Sequence, residues 1–219
     1  MLVTPTVRGD GERHIVGRPD PRTPRAHRHR PRPFAQFEDL ARSLVALDVD
    51  LGDEPRHRLA AYIGEDPLLV IDLRPFPPGG IEGPMVEAVA GALALGADRL
   101  AAALPGRAWS MDDPVVPVTE DGDLRQRVLL CATARRGEDP STWLLPFDVD
   151  GQSLSWHETV LEDGDCEGWV PHALQVGVDA GWEPDIPGAA GQLARCTALG
   201  HEVFLAPAGS DLLDQVAGR

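Results

Sequence analysis

Residues 81–104 read IEGPMVEAVAGALALGADRLAAAL, and this stretch decides the fold class. Ile81 to Leu95 is Ala-rich and patterned as a helix. Gly96 ends it, because glycine readily takes the left-handed conformation that closes a helix. Arg99 to Leu104 is then a continuous apolar run, the pattern of a strand buried on both faces.

The same order recurs on either side. Asp53-Glu-Pro55 offers a helix start with acids near the positive end of the dipole, the helix running through Leu59 to Ile63. Gly64 stops it, and Leu68 to Ile71 is the next buried strand. Near the C-terminus Ala189 to Leu199 reads as helix, Gly200 as its stop, and His201 to Leu205 as strand. Helix, glycine, apolar run is the αβ connection of parallel sheets, so three occurrences predict an α/β class with parallel units.

Other segments fill in around these units. Phe34, Phe37, Leu40, Leu44 and Leu47 recur at three- and four-residue spacing and predict one amphipathic helix. Residues 115–118, 120–123 and 126–133 read as strand, turn, strand. So do 143–149, Asp150-Gly151 and 154–160, where Asp-Gly supplies the positive φ that a tight hairpin needs. An antiparallel meander therefore joins the parallel units in one mixed sheet. Residues 166–188, with Trp169 and Trp182, read as a helix followed by a Pro-broken loop.

Charge divides the chain unevenly. Residues 1–32 hold eight arginines against Asp10, Glu12 and Asp20, a formal +5; the whole chain is −15, so residues 33–219 carry −20. Proline recurs every few residues through position 33, which blocks helix and ladder alike. The expectation is an extended basic arm over 1–33 and one acidic α/β domain over 34–219, a length that fits one domain. Such an arm can tether nucleic acid, strap onto the acidic body, or do nothing. The body's field repels phosphates, so nucleic-acid binding is unlikely except through the arm, and an anionic membrane surface is disfavoured.

All 20 basic residues are arginine, the mark of a GC-rich genome. Cys131, Cys166 and Cys196 are too widely spaced for a disulfide framework or a paired metal motif. The first residues lack the apolar run of a secretory signal, and no stretch nears the ~20 apolar residues that span a bilayer. These features together predict a reduced, cytoplasmic protein.

Asp72 is the best-placed carboxylate, since ligands gather beyond the carboxyl ends of strands in open α/β sheets. Arg74 follows, then the loop Pro75 to Gly80, which lacks a phosphate-binding glycine pattern. Asp112 and Asp113 lie one short loop beyond the strand at 99–104. If they meet Asp72, three carboxylates would suit Mg²⁺ or Mn²⁺, with Arg107 and Trp109 lining the opening as ligand-binding candidates.

Weaker patterns are set aside. His157, Glu158, Cys166 and His172 lack the paired spacing of zinc ligands. The Glu-Asp-Gly-Asp turns at 120–123 and 162–165 are too short for a calcium loop. Ser110 and Ser155 lack a hydrolase nucleophile setting, and Cys131 reads as buried. Without a catalytic signature, the sequence favours a non-catalytic partner-binding or regulatory protein whose partner is another protein or a second copy. The rival is a divalent-metal-dependent hydrolase or transferase built on Asp72, Asp112 and Asp113.

Overall fold

Phe37, Ala41 and Val45 share one face of helix α1 (Ala35–Asp50) and are buried against a sheet. The helix is where the spacing predicts it, but of the expected apolar face only Phe37 is buried. Leu40 and Leu44 are half-buried, Leu47 is exposed, and Phe34 lies outside the described residues. The computed structural model describes residues 35–77, 80–108, 118–119, 122–123, 125–161, 169–180 and 185–217. The basic arm lies outside them.

A hairpin follows α1. Strands β1 (Arg58–Ile63) and β2 (Asp66–Asp72) pair antiparallel around Gly64, whose φ of +58° suits a tight turn. Helix α2 (Glu82–Ala94) leads into β3 (Arg99–Ala108), and the small pair β4 (Val118–Thr119) and β5 (Gly122–Asp123) comes next. Strands β6 (Gln126–Arg135), β7 (Ser141–Asp150), β8 (Ser153–Trp156) and β9 (Val160–Leu161) form a meander. Helices α3 (Trp169–Asp179) and α4 (Ile186–Ala198), strand β10 (Glu202–Leu205) and helix α5 (Pro207–Ala217) complete the order.

Among the described residues the main sheet has eight strands in the order β10-β2-β1-β3-β6-β7-β8, with β9 continuing along β7. Every neighbouring pair is antiparallel. This corrects the expected parallel units on two counts: β1 separates β2 from β3, and β10 itself pairs antiparallel with β2. Residues 58–63 form β1 rather than the end of a helix, so Gly64 is a hairpin turn and not a helix stop. Strands β2 and β3 still run in the same direction across helix α2, but β1 lies between them, antiparallel to both. All of Arg58 to Tyr62 is buried, so the segment shows no alternation, and a short apolar run of that kind reads equally as buried helix.

Other expectations hold. The α2–Gly96–β3 and α4–Gly200–β10 connections are present, with φ of +82° and +99° at the two glycines. The Asp150-Gly151 hairpin joins β7 to β8, although β8 ends at Trp156 instead of reaching residue 160. Helix α5, begun by Pro207 where its missing N–H costs nothing, completes the C-terminal region.

The sheet is covered unequally. On one face α2, α3 and α4 bury Met85, Ala88, Leu174, Val178 and Ala189 against Leu59, Ile71, Leu100 and Leu104, with Leu212 and Leu213 of α5 alongside. Alanines at 60, 61 and 101–103 keep the central strands thin, so larger helix side chains fill the gaps at close-packed density. On the other face, among the described residues, α1 is the helix of the packed cluster, over Tyr62, Leu129, Trp143, Leu145 and Phe147. Its Arg42 lies 4.6 Å over the Trp156 ring, which draws the helix toward β8. The opposite end of that face keeps Val70 half-buried, and beside it Phe204 of β10 is 52 % exposed.

Candidate functional site

Asp72 ends β2, as its position after Leu68–Ile71 suggests, and its carboxylate is engaged by guanidinium groups. Arg58, opposite it on β1, donates from Nε to Oδ1 at 2.8 Å and from Nη2 to Oδ2 at 3.4 Å. The same guanidinium forks onto Asp48 of α1, with both contacts at 2.7 Å. Asp48 also accepts the backbone N–H of Arg56 at 3.0 Å. Arg56 Nη1 then reaches Asp72 Oδ2 at 3.3 Å and Glu202 of β10 at 3.0 Å. Burial works against the charge of Arg58, yet its bonds to Asp48 and Asp72 outweigh that and hold the group more firmly protonated than usual. The cluster ties α1, β1, β2 and β10 together at one end of the sheet.

Arg74 makes a second cluster on the far side of the same loop. Its guanidinium donates to both oxygens of Glu87 on α2, at 2.9 and 3.2 Å. Its backbone N–H donates to Nδ1 of buried His201 at 3.2 Å, which leaves Nε2 to donate to Glu87 Oε2 at 3.0 Å. The Arg74 hydrogen bonds, aided by His201, hold the Glu87 carboxyl down at about 2. The Sγ of Cys196 donates to the Glu87 carbonyl at 3.4 Å, and burial pushes that thiol up. Arg74 therefore ties the connection from β2 to helix α2 itself and to the connection between α4 and β10.

Arg107 lies elsewhere, at the end of β3. A cleft of about 230 Å³ opens there between Glu54, Pro55, His57, Pro105, Gly106, Arg107, Arg127 and Phe147. Arg107 Nη1 donates to the Arg125 carbonyl at 2.9 Å, and Arg127 stands 3.5 Å from Glu54. His57 packs edge-on against Phe76, and burial pushes its imidazole down to about 4.

Trp109, Asp112 and Asp113 lie outside the described residues. The carboxylate set is thus represented by Asp72 alone, and no group of three or more His, Cys, Asp or Glu side chains suited to a metal occurs among the described residues. His157 instead contacts exposed Asp148 at 2.7 Å. Cys131 is fully buried, and desolvation pushes its thiol up, consistent with a packing role. No described helix is long and apolar enough to cross a membrane.

Three residues escaped the sequence reading. Arg58 was hidden because its segment reads as helix, which conceals its cross-strand partner. Arg127 could be found only by aligning β6 with β3, a register no motif specifies. Phe204 falls in a stretch that reads simply as strand; its edge position follows from strand order alone. Comparison with protein-family models, curated proteins and solved structures finds no match for the chain.

Proposed function

We propose that this chain is a non-catalytic, partner-binding protein of the cytoplasm, and that its partner is a cationic extended segment that adds to the free edge of β10. The observation that carries the reading is the exposure of Phe204 and Leu205, 52 % and 39 %, on β10, the outermost strand on its side of the sheet among the described residues. An edge strand presents unpaired backbone groups to a further strand, and strand addition is a recurring mode of peptide recognition. Phe204 supplies an apolar anchor on the side of the sheet that α1 leaves thinly covered.

Charge selects the sign of the partner. Glu202 on β10 and exposed Asp211 and Asp214 on the adjoining α5 are all acidic, within a body of −20. Such a field speeds encounter with cations and rejects anionic competitors. Asp72 supports the same reading from the other direction, since metal ligation would require it to give up both arginines.

The test is a titration with a short peptide alternating arginine and valine, followed by fluorescence anisotropy at two salt concentrations. Phe204→Ser leaves the charge unchanged and is expected to weaken binding by about tenfold or more, roughly the loss of one buried anchor. Val176→Ser, at an exposed site on α3, is expected to bind as the parent does. Equal binding by the parent and Phe204→Ser would reduce the interaction to nonspecific charge and end the proposal.

A further inference from the structure

Strand β10 exposes an apolar side chain on each face of the sheet. Phe204 lies opposite Val70 and shares the α1 face with it. Leu205 lies opposite Leu69 of the helix-covered cluster, so it points to the other face. Both are exposed. A strand that pairs with this edge must therefore bring apolar contact to both faces, which calls for two adjacent apolar residues rather than strict alternation. Charge adds a second demand, because exposed Glu202 and the exposed Asp211 and Asp214 of α5 favour a cation.

The chain carries a segment of that kind in its own basic arm. Prolines at 5, 19, 21, 24, 31 and 33 leave residues 6–18 as the arm's longest proline-free stretch, and only there is a ladder not blocked for more than a few residues. Within it Ile15 and Val16 are adjacent, with Arg13-His14 before them and Gly17-Arg18 after. Both are β-branched and suit a strand, where neighbours point to opposite faces. One of the two meets the Phe204 side and the other the Leu205 side, while Arg13 and Arg18 supply the charge.

Reach is sufficient. Eighteen residues separate Val16 from Ala35, where α1 begins, and such a tether spans up to ~60 Å. A body of this size has a radius of gyration of about 16 Å, so β10 lies within range. A tether of this kind holds its segment at an effective concentration in the millimolar range.

We infer that residues 13–18 pair with the free edge of β10 in the same chain, which makes the basic arm an internal competitor for the partner site. The inference rests on the reading of β10 as a strand-addition edge and names what regulates it. A strand this short opens with little free energy, so a tighter partner displaces it. The β10 amides are then slowed by the arm yet still exchange faster than those of β1 and β3.

The experiment compares the full chain with the full-length double variant Ile15→Ser, Val16→Ser, which keeps the arm's charge. Hydrogen exchange at residues 202–205 is expected to be about twofold or more faster in the variant. Anisotropy with the arginine–valine peptide is expected to show about twofold or more tighter binding by the variant, since a site half-occupied by its own arm is competent half the time. Equal exchange at 202–205 in the two proteins overturns the inference. Equal peptide affinity overturns it too, and leaves the partner reading standing. Faster exchange in the variant with no peptide binding to either protein supports the arm's pairing and ends the reading of an external partner. Exchange at 202–205 that speeds up when the parent is diluted would place the arm on a second copy and overturn the pairing within one chain.

Discussion

Arg58 and Asp72 face each other across β1 and β2 and are joined at 2.8 Å, at 5 % and 6 % exposure respectively. Two buried charges repay their desolvation only when geometry is good and the other polar atoms are satisfied. Asp48 meets that condition by taking the other edge of the same guanidinium.

Replacing Arg58 with Met leaves Asp48 and Asp72 without that guanidinium at a closed end of the sheet. The expected loss is about 3–5 kcal/mol, the usual cost of breaking one side of a buried pair. Apolar replacement of Asp48, Arg58 and Asp72 together is expected to recover most of it. Urea unfolding of both variants measures the difference, and a loss below about 1 kcal/mol in Arg58→Met would contradict the structural role given to the cluster.

Glu87 makes a pH-dependent contribution. Its carboxyl falls from an ordinary 4.5 to about 2 in the folded state, chiefly through Arg74. A depressed carboxyl stabilises fully above its unfolded pKa and loses that contribution as pH falls through the folded value. Glu87→Gln is therefore expected to be less stable than the parent at pH 7 and pH 6. The gap should narrow between about 4.5 and about 2. Unfolding midpoints of the two proteins across that range give the curve; a gap independent of pH would sink the assignment.

Two helical glycines separate packing from propensity. A Cβ on Gly191 of α4 would meet nothing, whereas one on Gly209 of α5 would collide with the Leu68 carbonyl of β2. Gly191→Ala is expected to stabilise by up to ~1 kcal/mol, the helix-propensity difference. Gly209→Ala is expected to destabilise by ~1–3 kcal/mol, because backbone on both sides must move. Thermal or urea unfolding distinguishes the signs, and equal gains at both sites would show that α5 does not approach β2 so closely.

Local elements were legible in the sequence where composition and a breaker agreed. Ile81 to Leu104 gives helix, glycine and strand in their places, and Asp150-Gly151 gives its hairpin. Neighbour relations were not legible. Arg58 to Ile63 lacks alternation because five of its six residues are buried, so the strand that separates β2 from β3 looks helical. The candidate site shows the same limit. Asp72 ends its strand as the sequence suggests, but its engagement by Arg58 and Arg56 depends on that unseen strand. Arg107 stands out in the sequence by its place after a strand, whereas its opposition to Arg127 is visible only from the β3–β6 register. Nothing in Glu202–Leu205 says that this strand lies at an edge.

A cationic segment paired with β10, as proposed, would protect the backbone amides of that strand, and hydrogen exchange reads them. Backbone amides of residues 202–205 in the free chain are expected to exchange faster than those of the central strands β1 and β3, since edge strands open with little free energy. Saturation with the arginine–valine peptide should slow exchange at 202–205, with Phe204→Ser abolishing the effect. Binding that leaves the β10 amides unchanged, or protects only residues elsewhere, would contradict the account.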